Sequence, residues 1–362
     1  MIKFNFENIK IAGIAVAVPT KEVEIDSFAA IFGDESVQKF KKMTGVNKLH
    51  YADENQTASD LGYVAARQLM LEKAIDPLSI DAVVFVSQSP DYRIPATAGV
   101  LHKRLGLTKD CLAFDINLGC SGYVYGLQTI CSCMQTSNIN RALLIVGDTL
   151  SKLVSPEDRS SVMLFGDAGS ATLLEKEENA PEIKASVRTS GEGYGAIIMH
   201  GGGNRNPTAT SERYMWEDGN VRSDNDLFMD GTEVFNFTIS EVPNLLKEFL
   251  ESENSIPEEY DCLVLHQANL FILKQIAKKI KFPMDKVPIS IDAYGNTSVT
   301  SIPLTLAKMY GGGYTKNEIN SLMCGFGVGL SWGVVSAKIN VSNILPIIYT
   351  DEYFPAGGFK RD

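Results

Sequence analysis

The chain has 362 residues, of which 44% are hydrophobic and 21% are charged, an ordinary composition for a soluble globular protein. Its formal net charge of −11 argues against a general nucleic-acid binder. No apolar run approaches the roughly 20 residues that a membrane-spanning helix needs, so no membrane association is expected.

The start of the chain lacks a basic segment followed by a long apolar stretch, so no signal peptide is predicted. The cysteines are scattered rather than spaced as a disulfide framework or a zinc site, which favours reduced thiols, a cytoplasmic location and no bound metal. They are Cys111, Cys120, Cys131, Cys133, Cys262 and Cys324.

Apolar periodicity predicts the main elements in chain order. A first helix is expected at residues 57–72, where Thr57 is a suitable N-cap. It is followed by strands near 81–89 and 111–118 and a helix at 121–134. Residues 188–230 are rich in glycine, asparagine, arginine and serine, which indicates a long excursion of functional importance. The remaining predicted elements are helices at 232–251 and 267–281 and strands at 261–265 and 332–339.

The sequence contains an internal repeat. Residues 81–89 resemble 261–269 in pattern, residues 114–121 resemble 291–298, and residues 142–147 resemble 320–325. The offsets are 180 from Asp81 to Asp261, 176 from Gly119 to Gly295 and 178 from Gly147 to Gly325. Three matches at nearly one offset predict an α/β protein with parallel strands and two pseudo-equivalent halves.

We therefore divide the chain into three parts. Residues 1–180 form an N-terminal half that carries a candidate nucleophile, and residues 181–340 form a C-terminal half that carries its candidate partners. Residues 341–362 form an extension that belongs to neither repeat.

Cys120 is the candidate nucleophile. It lies at the end of a predicted strand and opens a predicted helix, between the small residues Gly119, Ser121 and Gly122. The positive end of the helix dipole is expected to favour the thiolate. By itself, a cysteine in apolar surroundings is more often a core residue.

The second half supplies two partners. His266 follows a predicted strand, and Asn296 occupies the repeat position of Cys120. Because ligands bind at the carboxyl ends of parallel strands, all three groups are expected at one site. Cys120 can accept an acyl group from a thioester, while His266 and Asn296 can donate hydrogen bonds to an enolate oxygen. The backbone N–H groups of Cys120 and Val328, the latter in a glycine-rich turn, are the candidate oxyanion hole.

Four motifs resemble the ketoacyl-acyl-carrier-protein synthase III family over residues 8–340. They are Gly119-Cys120-Ser121-Gly122, Phe165-Gly166-Asp167-Ala168-Gly169, His266-Gln267-Ala268-Asn269 and Gly295-Asn296-Thr297-Ser298. The resemblance implies a thiolase-like homodimer of five-layered α/β/α/β/α subunits, ping-pong kinetics and no cofactor besides the phosphopantetheine of coenzyme A or acyl carrier protein. It also implies that Arg159 lies near the adenine of coenzyme A, and that Asn269 and Phe326 bind substrate.

The chain departs from the family pattern in three places. Lys39 and Met43 replace the Trp and Arg that surround the adenine, which weakens recognition of coenzyme A. Ile94 replaces the Phe of the dimer loop that closes the acyl pocket, so Ile94 is a substrate-binding candidate that leaves more room. Phe271 replaces the Arg that docks carrier protein. These losses favour a specialised synthase with a primer other than acetyl.

A lysine-rich segment compensates for the missing arginine. Residues 270–281 contain no acidic residue, and their lysines form a candidate docking surface for an acidic carrier protein, although charge runs are usually solvated helix faces. These lysines are Lys274, Lys278, Lys279 and Lys281, of which the first, second and fourth are predicted to share one helical face.

Two alternatives to decarboxylative condensation with a malonyl thioester remain open. The enzyme could transfer an acyl group to an amine or alcohol, or join two acyl thioesters without decarboxylation. The chain could also be an inactive partner subunit of a heterodimeric synthase, a role against which the intact Cys-His-Asn set argues.

Overall fold

The computed structural model describes residues 2–355, which fold around two β-sheets. The strands are Phe4–Phe6 (β1), Ile9–Pro19 (β2), Glu22–Glu24 (β3), Lys48–His50 (β4), Ala82–Val86 (β5), Leu112–Ile116 (β6), Arg141–Asp148 (β7), Ala168–Lys176 (β8), Ile183–Thr189 (β9), Ile197–Ile198 (β10), Tyr214–Met215 (β11), Val221–Arg222 (β12), Phe228–Met229 (β13), Cys262–Leu265 (β14), Glu318–Gly327 (β15), Ser331–Asn340 (β16) and Ile348–Thr350 (β17). The α-helices are Ala29–Phe32 (α1), Asp34–Thr44 (α2), Ala58–Glu72 (α3), Thr97–Leu105 (α4), Gly122–Gln135 (α5), Gly231–Ser252 (α6), Leu270–Lys279 (α7), Ile291–Tyr294 (α8) and Ser301–Tyr310 (α9).

The two sheets repeat one topology, as the sequence predicts. The first has the order β17-β2-β8-β7-β5-β6 and the second β1-β9-β16-β15-β14. Within them, β2-β8-β7-β5 and β9-β16-β15-β14 have the same order and the same strand directions: two antiparallel pairs followed by a parallel pair. The parallel pair in each half directs its carboxyl ends to the same side, where loops can form a site.

Helices and sheets alternate in five layers, which agrees with the predicted thiolase-like α/β/α/β/α fold. Helices α5 and α9 contact both sheets and lie between them, while α3 and α4 cover the first sheet and α6 and α7 cover the second. The central layer is a continuous apolar core that includes Val84, Leu127, Val264 and Met323. Burial of this core holds the two sheets at a fixed spacing.

One predicted match between the halves is wrong at the level of secondary structure. Residues 291–298 do not repeat a strand; they form the short helix α8, a turn and a one-turn 3₁₀ helix. The segment turns because Gly295 has a φ of 65°, and the side chain of Gln267 accepts hydrogen bonds from the backbone N–H groups of Ser290 and Ile291. The second sheet therefore lacks a counterpart of β6, which forms an open edge of the first sheet.

The helix boundaries follow from capping. Helix α3 begins after Thr57, the predicted N-cap, and Thr57 also forms a capping box with Asp60. Helix α7 starts later than predicted because Asn269 caps it, accepting a hydrogen bond of 2.8 Å from the backbone N–H of Ile272. The helix ends at Lys279, and Lys281 has a left-handed φ of 57°. The prediction that Lys281 lies on the helical face is therefore wrong.

The predicted excursion contains two small hairpins, β10 with β13 and β11 with β12, and otherwise lacks regular strands or α-helices in its described residues. The predicted extension contributes β17, which pairs in parallel with the end of β2, while residues 356–362 lie outside the described residues. The predicted boundary at residue 180 falls between β8 and β9, and the one at residue 340 falls at the end of β16. The division of the chain into two halves and an extension stays a prediction.

Within residues 2–355, no helix combines the length and hydrophobicity that crossing a membrane would require. The same residues contain no group of three or more His, Cys, Asp or Glu side chains arranged to hold a metal ion. All six cysteines lie in this part of the chain, and all are free thiols.

Candidate active site

Cys120 is held in a tight turn between β6 and α5. The N–H of Gly122 donates to the carbonyl of Gly119 at 2.6 Å, and the cysteine is only 8% exposed. Gly327, at the end of β15, packs directly against it: a Cβ atom at Gly327 would lie 2.6 Å from Cβ and 3.0 Å from Sγ of Cys120. The second half of the chain thus fixes the position of a thiol that belongs to the first half.

The thiol of Cys120 is protonated at neutral pH, contrary to the prediction that the helix N-terminus favours a thiolate. Burial, reinforced by the nearby carboxylate of Asp148, raises its pKa to about 12. The Ser298 hydroxyl and the backbone N–H groups of Cys120 and Val328 oppose this rise in pKa. Acylation at this thiol therefore needs a route for its proton.

His266 follows β14, where the sequence predicts it, and is buried. Its backbone N–H donates to the carbonyl of Cys324 at 2.8 Å, its Nδ1 lies 2.7 Å from the hydroxyl of Ser301, and its ring meets that of Phe326 edge to face at 5.3 Å. Burial lowers the pKa of His266 to about 3. The imidazole is therefore neutral at physiological pH, although a hydrogen bond to the backbone of Ser298 opposes the fall in its pKa.

Asn296 lies in the turn after α8 and not at the end of a strand. Its Oδ1 accepts the backbone N–H of Ser298 at 2.9 Å, which leaves its Nδ2 as a donor. Its own N–H donates to the carbonyl of Leu164, and its carbonyl accepts from Gly166. The Phe165-Gly166-Asp167 motif thus supports the asparagine turn, and a side chain at position 166 would overlap with the carbonyl of Tyr294.

Cys120, His266 and Asn296 line one cavity of about 1120 Å³, so the structure brings the three predicted groups together. The cavity opens at the exposed side chains of Met43 and Phe271. The other predicted residues that line it are Arg159, Asn269, Phe326 and Val328. The volume slightly exceeds the roughly 300–1,000 Å³ that is usual for small-molecule sites, which leaves room for a long flexible substrate.

Arg159 lies on an ordered loop that a buried ion pair anchors. The side chains of Asp158 and Arg222 are fully buried and 2.6 Å apart, and Asp158 also accepts hydrogen bonds from Ser160 and Ser161. The backbone N–H of Arg159 donates to the side chain of Asn220 at 3.2 Å. This arrangement presents the exposed guanidinium of Arg159 at the cavity.

Ile94 is the one predicted substrate-binding residue that does not line the cavity of its own chain; its side chain is 88% exposed. A role for Ile94 therefore requires a second copy of the chain, as the predicted dimer loop implies. β6, with Leu112 42% exposed, forms an open sheet edge.

All four lysines of the candidate docking surface are exposed, and none has a carboxylate within 4.0 Å among the described residues. Lys279 donates to the backbone carbonyl of Ile239. Beside them, the ring of Phe271 stacks on that of Phe235 at 5.9 Å. The aromatic pair lines the cavity, and the lysines lie on, or just after, the helix that begins beside it.

Sequence reasoning missed several polar groups at the site. The hydroxyl of Ser298 and the buried carboxyl of Asp148 both influence Cys120, and burial raises the pKa of Asp148. Gln88 also lines the cavity. Asp148 ends β7 and Gln88 closely follows β5, so extending the strand-end argument to every strand of the first sheet would have found them.

Comparison with known proteins agrees with this geometry. Residues 114–191 match the family described as 3-oxoacyl-[acyl-carrier-protein] synthase III, and residues 250–339 match its C-terminal counterpart. A putative 3-oxoacyl-[acyl-carrier-protein] synthase 3 of Campylobacter jejuni is 35% identical over 360 residues, covering 97% of this chain and 100% of the relative.

Two further proteins extend the comparison. A beta-ketoacyl-[acyl-carrier-protein] synthase III of Clostridium perfringens is 32% identical, covering 92% of this chain and 100% of the relative. The crystal structure of a 3-oxoacyl-(acyl-carrier protein) synthase from Burkholderia xenovorans superimposes with a TM-score of 0.89 at 39% identity, covering 96% of this chain and 99% of that one. By its motifs, its fold and its full-length relatives, this chain belongs to the 3-oxoacyl-[acyl-carrier-protein] synthase III family of condensing enzymes.

Proposed function

We propose that this chain loads an acyl group onto Cys120 and condenses it with a malonyl thioester by decarboxylative Claisen chemistry. The observation that carries the proposal is the presence of Cys120, His266 and Asn296 in one cavity. A nucleophile alone would support acyl transfer, whereas two neutral hydrogen-bond donors beside it are what an enolate requires.

In the first half-reaction, Sγ of Cys120 attacks the carbonyl carbon of the primer thioester. Backbone N–H groups of Cys120 and Val328 stabilise the oxyanion, the carbon–sulfur bond to the donor breaks, and the donor leaves as a thiol. The proton of Cys120 passes to the leaving thiolate, and neutral His266 can relay it through Nε2 in the tautomer that carries its own proton on Nδ1; the ring then takes the Nε2–H tautomer for the second half-reaction.

In the second half-reaction, the malonyl thioester loses CO₂ and its carbonyl oxygen becomes an enolate oxygen. Asn296 Nδ2 and His266 donate hydrogen bonds to that oxygen; donation by Ser301 to His266 Nδ1 would leave the required proton on Nε2. The enolate carbon attacks the acyl carbonyl, the bond to Sγ breaks, and the thiolate of Cys120 takes up from solvent the one proton that decarboxylative condensation consumes.

We further propose a specialised primer and a homodimer. Lys39 and Met43 at the cavity lack the stacking surface and guanidinium of an adenine site, which favours carrier-protein thioesters in at least one half-reaction. Pairing of two exposed β6 edges would join two copies and bring Ile94 of one toward the cavity of the other, where a smaller side chain than Phe leaves room for longer or branched primers.

Two features favour this function over its alternatives. Asn296 is superfluous for simple acyl transfer to an amine or alcohol, yet its turn is supported by backbone contacts to Leu164 and Gly166. The intact, buried Cys120 argues against an inactive partner subunit.

Mass spectrometry of the intact protein tests the proposal. After incubation with a panel of acyl-coenzyme A and acyl-carrier thioesters, the protein should gain one acyl mass, and addition of malonyl thioester should release a ketoacyl product with CO₂. Cys120→Ala should gain no acyl mass. An alanine variant that is still acylated, or an acylated protein that never decarboxylates malonyl thioester, would overturn the assignment.

A further inference from the structure

A side-chain amide without a hydrogen-bond partner lies beside the nucleophile. Gln88 is anchored through its backbone, whose N–H donates to Oδ1 of the buried Asp148 at 2.8 Å. Its side chain lines the cavity and covers Gly119, where a Cβ atom would overlap with the amide oxygen. The amide of Gln88 makes no hydrogen bond to any residue in the described part of the chain, so its donor and acceptor capacity remains available to a group bound in the cavity.

A second side-chain amide, that of Asn117, belongs to the segment between β6 and Cys120. Asn117 follows β6, is exposed and lines the same cavity, and its side chain likewise has no hydrogen-bond partner within residues 2–355. The Gln88 amide lies against Gly119, whose Cα is about 3.8 Å from that of Cys120 because the residues are consecutive. Gln88 is therefore close to the start of an acyl chain on the sulfur, and Asn117 adds a second amide to the same cavity.

An alkyl primer would be a poor partner for these groups. Covering an amide with a hydrocarbon chain removes its water without replacing the hydrogen bonds, which is unfavourable. A hydroxyl or carbonyl on the primer would replace them. The hydroxyl could both accept from an amide N–H and donate to an amide oxygen.

We propose that Gln88, assisted by Asn117, selects primers that carry a hydroxyl or carbonyl group near their third carbon. This inference rests on the proposed function, since it needs an acyl group on Cys120. Gln88 acts as a specificity-determining residue in it, and the cavity beside Cys120 is a polar acyl subsite.

Two coenzyme A thioesters of nearly equal shape test this inference. 3-Hydroxybutyryl and isovaleryl groups differ only in a hydroxyl in place of a methyl group on the third carbon, so steric room cannot separate them. We expect the protein to load 3-hydroxybutyryl about 3- to 10-fold faster, the usual value of one net hydrogen bond. The measured quantity is the rate of acylation of the Cys120 peptide, followed by mass spectrometry in separate reactions.

Gln88→Met keeps the size of the side chain but removes its hydrogen-bonding groups, so it should abolish the preference. Gln68→Met, the same change on α3, should preserve it. Asn117→Leu at an exposed position gives a second variant that should fold even if position 88 proves intolerant, and it should weaken the preference.

Three results would overturn the inference while the proposed function stands: faster loading of isovaleryl by the unaltered protein, an unchanged preference in both cavity variants, or equal slowing of both primers by Gln88→Met. Equal slowing would mean that the amide binds the thioester arm common to both substrates. Loading of neither of these primers nor of any other thioester on Cys120 would overturn the proposed function and this inference with it.

Discussion

The contact between Gly327 and Cys120 allows a sharp test of how the two halves form the site. In Gly327→Ala, the new Cβ atom would lie 2.6 Å from Cβ and 3.0 Å from Sγ of Cys120. Carbon atoms in contact prefer about 3.5–4.0 Å, so the two backbones must separate by about 1 Å. A misplacement of that size in a reacting group can lower a rate by about 10²-fold.

The assay is the rate at which Cys120 gains acyl mass with saturating acyl thioester, with the thermal unfolding midpoint measured in parallel. We expect acylation to fall by about 10²-fold, and overpacking to cost about 1–3 kcal/mol of stability. Gly191→Ala is the matched control, because a Cβ atom there meets no other atom within 4 Å. If Gly327→Ala is acylated within threefold of the rate of the unaltered protein while it remains folded, the contact between Gly327 and Cys120 is not what positions the thiol.

Four further predictions follow from the site and its surroundings. Asn296→Ala should leave self-acylation largely intact but slow decarboxylation of malonyl thioester by about 10²-fold or more, as measured by CO₂ release; equal loss of both half-reactions would indicate a structural role. Burial raises the pKa of Cys120 to about 12, so its thiolate fraction should rise about tenfold per pH unit from pH 7 to 9. The rate at which iodoacetamide alkylates Cys120 should rise in proportion, and a plateau near neutrality would contradict this. Lys274→Glu combined with Lys278→Glu should raise KM for carrier-protein substrates but not for coenzyme A substrates, with a smaller effect at high salt, whereas equal loss on both would argue against docking. Arg222→Met should cost about 3–5 kcal/mol in urea unfolding because it leaves a buried carboxylate unpaired, and an unchanged midpoint would refute that.

The sequence predicts the parts of the site that depend on local pattern and duplication. Cys120 and His266 follow apolar runs that do form strands, and the strand-end rule then places both at one edge. The internal repeat predicts Asn296 as a site residue because it occupies the position of Cys120, although its segment folds as a helix and a turn. The bend at Gly295, whose φ is 65°, precedes Asn296, which lines the cavity with Cys120.

Features that depend on distant packing could not be predicted. The protonated state of Cys120 follows from its burial and from the carboxylate of Asp148, which is distant in the sequence, and no local pattern predicts it. The prediction that Lys281 shares a helical face with Lys274 and Lys278 was wrong because α7 ends two residues earlier, and Lys281 has a left-handed φ. Likewise, the exposure of Ile94 depends on whether a second copy covers it.

The extension after residue 340 has a consequence for anyone who shortens this chain to the part shared by the two repeats. β17 is the outer strand of the first sheet and lies next to β2. Residues Ile14 to Pro19 of β2 are covered by β17 and by the chain leading to it, through a bridge between Ile14 and Ile344 and the pairing of β17. These β2 residues are fully buried. A protein ending at 340 would display a bare, apolar ladder of unpaired backbone groups, a template on which other chains can aggregate.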